Sequence, residues 1–224
     1  MVVFVWSCRF SWWSLCGPAG FHGGLCGPVG PHGGLCGPFM VVFVVQQVLM
    51  AVSQVSPGLF LSDLDSALNL AVLSNRNVSL IVNASGLEGV SYPQMDGLEV
   101  VHVLVPDQPH APLGLYFDPV AERIHENRTG TTLVHCVAGR SRSPALVMAY
   151  LMRFEGASLR RAHEQVLETR PFIRPNAGFW RQLMDYEKAL SGRNTVQMAR
   201  TGGGVLPQAL EDFNDFKSYW RRLH

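Results

Sequence analysis

Charge is what the first fifty residues lack. Residues 1–50 contain one charged side chain, Arg9, although they hold four of the five cysteines and nine of the 22 glycines. The other 174 residues carry 17 basic and 17 acidic side chains, so only this part has the composition of a folded domain. The whole chain has no excess of either sign, with 18 Lys and Arg against 17 Asp and Glu. That balance disfavours a strongly basic nucleic-acid binder or a polybasic membrane binder. Missing too is any uninterrupted apolar run near the ~18 residues that span a bilayer. What is expected is a soluble globular protein of one domain, or one domain with an appendage, with neither nucleic acid nor membrane among its partners.

In residues 15–34 a ten-residue unit recurs, Leu-Cys-Gly-Pro-x-Gly-x-His-Gly-Gly, and a truncated third copy begins at Leu35. Gly and Pro at this density oppose a packed core, so residues 1–50 read as a low-complexity, disordered extension. The spacing of Cys16, His22, Cys26, His32 and Cys36 raises a zinc reading. The repeat itself accounts for that spacing, and no Cys-x2-Cys knuckle fixes a coordination geometry. The apolar stretch 1–5 lacks the positive start and the cleavage site of a secretory signal. The stretch 39–52 is too short, and too polar at Gln46 and Gln47, to span a membrane.

Residues 55–61 end in a strand-like stretch. Asp63 can then cap a helix on which Leu64, Ala67, Leu68, Ala71 and Val72 follow helical spacing. Residues 78–82 and 100–105 read as buried strands, parted by a loop punctuated with Gly and Pro. Leu113, Tyr116, Phe117, Val120 and Ile124 mark one face of an amphipathic helix; Gly130 breaks it, and 131–134 is the next strand. Residues 145–152 are apolar on every side and predict a helix buried at the centre. Two more helices run from 158 to about 169 and from 176 to about 190. Strands alternating with helices, then helices alone, predict an α/β domain over residues 51–192, with a small, mostly parallel central sheet flanked by helices and a tail from 193 to 224.

Cys136 is the only cysteine after residue 36, and it closes a predicted strand in the run His135-Cys136-Val137-Ala138-Gly139-Arg140-Ser141-Arg142-Ser143. A strand, a tight Gly-containing loop and a helix N-terminus make an anion cradle, because successive amides and the helix dipole converge. The same field favours a thiolate, and so a nucleophile at neutral pH. Arg142 can present a planar fork to two oxygens of a phosphate held over the sulfur, and Ser143 can donate to the sulfur as it leaves.

This run fits the His-Cys-x5-Arg-Ser/Thr signature and resembles the cysteine-dependent protein tyrosine phosphatases, in particular the small atypical members of the dual-specificity branch. The likeness covers roughly residues 58–190, including Ile81-Val82-Asn83-Ala84, Ala149-Tyr150-Leu151-Met152 and Arg170-Pro171-Phe172-Ile173-Arg174-Pro175-Asn176. It implies the dual-specificity phosphatase fold, catalytic roles for Cys136, Arg142 and Ser143, and a phosphate-binding loop of Val137, Ala138, Gly139, Arg140 and Ser141. It also implies a general acid at Asp107, 29 residues before Cys136. A poor leaving oxygen independently requires such an acid, for which His110 and Asp118 are the competing candidates. His135 is read as supporting the backbone near Cys136, or as a core histidine. Asn176 either caps the last helix or braces the catalytic loop, and the cap is preferred.

The implied reaction proceeds through a cysteinyl-phosphate, with no metal and no organic cofactor. The implied substrates are phosphotyrosine and phosphoserine or phosphothreonine in proteins, signalling kinases such as MAP kinases or the kinases above them. Arg140 stands where many relatives carry an aliphatic residue. Its guanidinium either points to solvent, the preferred reading, or favours more acidic substrates, which keeps a phosphoinositide or an RNA 5′-phosphate as alternatives. A phosphoprotein-binding adaptor with negligible turnover is the other class of function, and the presence of Cys136, Arg142 and Asp107 together argues against it. The sequons at Asn77, Asn83 and Asn127 would suggest secretion, but an active thiolate needs a reducing compartment, so the cytoplasm is expected, and the nucleus second.

Overall fold

A computed structural model describes residues 52–201 and 204–207. The repeat with its zinc-like spacing, the apolar stretches 1–5 and 39–51, and the tail after residue 207 lie outside the described residues. Five strands form one sheet in the order β1-β2-β5-β3-β4. They are β1 (Ser53–Ser56), β2 (Leu59–Ser62), β3 (Val78–Asn83), β4 (Glu99–His102) and β5 (Thr131–His135). β1 and β2 pair antiparallel, whereas β2 with β5, β5 with β3 and β3 with β4 are parallel. The single stretch expected over 55–61 is therefore a hairpin. Pro57 and Gly58 turn it, and Gly58 adopts φ +76°, a conformation that costs glycine little.

Alternation along the strands divides the interior in two. Leu59, Leu61, Val82 and Val134 enter the larger core, and Phe60, Ile81, Val100 and Leu133 face the smaller one. The larger core is filled by α3 (Phe117–Glu126), α4 (Arg142–Phe154), α5 (Leu159–Thr169) and α6 (Ala177–Ser191); the smaller is covered by α1 (Leu64–Ala67) and α2 (Leu70–Asn75). Helices thus flank both faces of a mostly parallel sheet. Ten of the thirteen residues of α4 are buried, as its all-round apolarity predicts for a central helix.

Two further expectations need correction. The helix expected from Asp63 is two short helices: Asp63 Oδ1 accepts from Ser66 N (2.8 Å), and then Asn69 Oδ1 accepts from Ala71 N (3.0 Å) and Val72 N (3.3 Å), restarting the chain in a new direction. The buried strand expected over 100–105 is an edge strand ending at His102, with Glu99 and His102 exposed; the buried Val103 and Val105 lie in the loop beyond. At the far end of the domain the buried Glu187 of α6 accepts from Leu159 N (2.8 Å), the first residue of α5, and from Thr195 N (2.8 Å). Val196 is buried beside it, so the residues just after 192 pack on the domain. The hairpin of β6 (Met198–Thr201) and β7 (Gly204–Pro207) follows.

Candidate active site

β5 lies between β2 and β3 at the centre of the sheet and delivers Cys136 to its C-terminal edge, the position at which open parallel sheets bind ligands. The path of the loop that follows is set by where its carbonyls go. Val137 O accepts from Leu64 N (3.1 Å), Ala138 O from Arg170 Nη2 (3.2 Å), Gly139 O from Arg170 Nε (2.7 Å) and Arg140 O from Arg174 N (2.6 Å). In a trans peptide the N–H opposes the C=O. Four carbonyls drawn outward therefore turn the N–H groups of Ala138, Gly139, Arg140 and Ser141 inward. Gly139 makes the bend at φ +64°, and a Cβ there would stand 2.4 Å from Ser62 O. α4 starts directly after the loop without a side-chain cap, which leaves its first amides open to an anion.

Cys136, the one cysteine among the described residues, is 2% exposed, and its Sγ accepts from Ser143 Oγ (3.2 Å). Burial pushes the thiol up, but that hydroxyl and the amides of Ser143, Ser141 and Arg140 outweigh it and hold the group below the ordinary thiol range. Arg142 is buried beside it. Its Nη1 donates to Ser85 O and to Val105 O (3.2 Å), which fixes the guanidinium plane. Its Nε is buried without a hydrogen-bond partner, 4.0 Å from Asp107 Oδ2. A desolvated cationic N–H left open in this way, next to inward amides and a sulfur, fits a bound oxyanion.

Asp107 stands on the opposite wall. Its Oδ1 accepts from Ser141 Oγ (2.7 Å) and from Asn176 Nδ2 (2.8 Å). Asn176 also caps α6, its Oδ1 accepting from Phe179 N (3.0 Å), so the preferred role is present and its other arm holds Asp107. Asp118 lies in the first turn of α3, where it accepts from Tyr186 OH (2.5 Å) and pairs with Arg153 (2.9 Å). His110 is exposed, as Asp107 is, three residues further along the same loop. His135 is fully buried, with Nδ1 3.0 Å from Cys136 O and Nε2 2.6 Å from Tyr92 OH. A carbonyl can only accept, so the Nδ1 proton is inferred and Tyr92 donates to Nε2. Burial lowers the imidazole's pKa, so a neutral ring anchors the peptide that carries the sulfur.

The structure thus gathers Cys136, Arg142, Ser143 and Asp107 around one point, with the amides of 138–141 beneath. The Arg140 side chain leaves it: the guanidinium is exposed and Nε donates to Phe172 O (3.2 Å). Sequence reasoning missed Arg170, Tyr92 and the two carbonyls that hold Arg142. A loop that turns its amides inward needs outward donors, but nothing local names a residue more than thirty positions away. Among the described residues no group of three or more His, Cys, Asp or Glu is placed to hold a metal ion.

Comparison with known proteins agrees with this geometry. Residues 59–189 match the family described as dual specificity phosphatase, catalytic domain. The chain is 44% identical over 173 residues to human dual specificity protein phosphatase 14, covering 75% of this chain and 86% of the relative. Of solved structures, human DUSP28 aligns with a TM-score of 0.58 at 38% identity, over 62% of this chain and 94% of its own. A mouse protein solved in complex with zinc tungstate aligns with a TM-score of 0.60 at 35% identity, over 64% of this chain and 90% of its own.

Proposed function

The chain belongs to the dual specificity phosphatase family and is a dual-specificity protein phosphatase, and from that premise we propose that it works through a cysteinyl-phosphate on Cys136, with Asp107 as proton donor and Arg142 as the clamp on the phosphoryl group. The observation that carries this reading is the unpartnered, buried Nε of Arg142 beside a sulfur ringed by donors.

Cys136 Sγ attacks phosphorus in line as the bond to the ester oxygen breaks. Asp107 gives that oxygen its proton, and Oδ2 is the atom free to carry it, because Oδ1 already accepts two hydrogen bonds. Water then attacks the phosphorus. Asp107 takes its proton, phosphate departs and the thiolate returns under the hydroxyl of Ser143. The amides of 138–141 and Arg142 hold charge on the equatorial oxygens throughout, in an environment that needs little reorganisation. Tungstate, carried by the mouse structural relative, is an oxyanion of the same tetrahedral shape.

The substrates we propose are signalling kinases such as MAP kinases, whose activation segments carry phosphothreonine and phosphotyrosine close together, in a reducing compartment, the cytoplasm and the nucleus. The exposed cations Arg140 and Arg174 beside the loop suit an acidic segment. The test is phosphate release by the full chain, without added metal, from p-nitrophenyl phosphate and from a doubly phosphorylated Thr-x-Tyr peptide. Turnover of both, lost with Cys136→Ser and reduced with Asp107→Asn, is the expected result. Phosphopeptide binding without turnover would replace the enzyme reading with that of an adaptor.

A further inference from the structure

Asp107 sits on an exposed turn between two buried residues, Val105 and Ala111. The turn is closed on itself by Gln108 N donating to Pro106 O (2.9 Å) and Ala111 N to Gln108 O (3.0 Å). Ser141 Oγ ties it to the catalytic loop, and the N-terminal part of α6 holds it along the rest of its length. Asn176, the cap, holds Asp107 itself. Gly178 lies against the backbone of Pro109 so closely that a Cβ on it would fall 1.7 Å from Pro109 O and 2.4 Å from its carbon. One turn further, on the same face, Gln182 Nε2 donates to Ala111 O (2.9 Å) while its Oε1 accepts from Gly114 N (2.6 Å). Glycine is a poor helix former, and this close approach is the reason for one in the first turn of α6.

We propose that Gly178 and Gln182 are positioning residues for the proton transfer: they seat the acid loop on α6, so that Asp107 stands over Cys136 before substrate arrives. This rests on Asp107 being the proton donor. Neither residue touches the phosphoryl group or the sulfur. Their loss therefore acts on the proton that Asp107 gives to the leaving oxygen and later takes from water, not on the nucleophile.

The experiment compares the full chain with Gly178→Ala and Gln182→Leu on two substrates, phenyl phosphate, whose leaving oxygen needs a proton, and p-nitrophenyl phosphate, whose leaving oxygen departs without one. The pH profile of Cys136 alkylation by iodoacetamide is measured alongside. Displacing an acid by about an ångström costs on the order of 10²-fold. Each variant is expected to lose roughly tenfold or more in kcat/KM, which reports the first step alone, on phenyl phosphate, to change far less in kcat/KM on p-nitrophenyl phosphate, and to keep the wild-type alkylation profile. In an Asp107→Asn background the same substitutions should cost nothing further, since residues acting as one unit are not additive. Equal losses of kcat/KM on both substrates, an altered alkylation profile, or a further loss in the Asp107→Asn background would overturn the proposal. Should Asp107→Asn alone leave phenyl phosphate turnover intact, the assignment of the acid fails with α6 untouched, a result distinct from failure of the seat. If Gly178→Ala does not fold, as its circular dichroism would show, Gln182→Leu carries the test.

Discussion

Two opposing effects meet at Cys136 Sγ: burial penalises the thiolate, and the donors around it stabilise it by more. Ser143→Ala removes the side-chain donor and leaves the burial. Its alkylation profile is expected to shift to higher pH, with kcat down roughly ten- to a hundredfold, the usual worth of a hydrogen bond to a charged group; an unchanged profile would assign the stabilisation to the amides alone. At Arg142 the prediction concerns shape rather than charge. Arg142→Lys keeps the cation but loses the fork fixed by Ser85 O and Val105 O, and a loss on the order of 10²-fold in kcat/KM is expected in steady-state assays. The sequence singles these residues out as candidates, because few side chains can attack phosphorus or clamp its oxygens. It does not single out Arg170 or Tyr92, since each acts through the backbone or ring of another residue far along the chain.

At the scale of elements, the nucleophilic loop is held from outside, and Arg170 takes two of its four outward carbonyls. Arg170→Met leaves the buried Gly139 O and the part-buried Ala138 O without their charged donor. The expected cost is about 1–3 kcal/mol in urea unfolding, with Cys136 alkylation moved to higher pH as the inward amides lose their alignment. Gly139→Ala strains a backbone at φ +64° and drives a methyl into Ser62 O, so phosphatase activity is expected to vanish while the far-ultraviolet circular dichroism keeps its helical signal. The periodicity placed α3, α5 and α6 because each buries a stripe, and α4 because it is apolar all round, although the helix expected from Leu113 opens with a 3-10 turn over Leu113–Tyr116 before α3. It missed the break between α1 and α2 because the apolar spacing runs through Asn69, and only the side-chain bonds of Asn69 show that the helix restarts. It overstated β4 because Val103 and Val105 are buried by a loop rather than by a strand.

Across the whole molecule, the packing of α5 on α6 carries a built-in response to acid. His163 of α5 is buried edge-on against Trp180 of α6, and its Nε2 has no hydrogen-bond partner. Burial holds its pKa at about 4 against 6.5 in an unfolded chain. The unfolded state therefore binds the proton first as pH falls. The stabilisation from the neutral ring is complete above about 6.5 and is lost progressively toward about 4, in total about 3 kcal/mol. Urea unfolding at pH 7 and pH 5 is expected to show this decline in the wild-type chain and a smaller one in His163→Leu, while the lowered pKa of His135 contributes in the same direction in both. Equal declines would show that His163 is not the group that titrates.

The sequence by itself determined the alternation of strand and helix and the all-round burial of α4, and it singled out Cys136 and Arg142 as candidates, with Asp107 implied by the resemblance to the family. Those depend on local periodicity and on the narrow choice of groups that can perform phosphoryl transfer. Only the tertiary structure decided which donors hold the loop's carbonyls outward, which oxygen of Asp107 takes both hydrogen bonds, and that Gly178 and Gln182 touch the loop that carries Asp107. The reason is physical. A hydrogen bond between residues 30 to 70 positions apart leaves no spacing in the chain, because its geometry exists only once the sheet has brought β5 and the helices together.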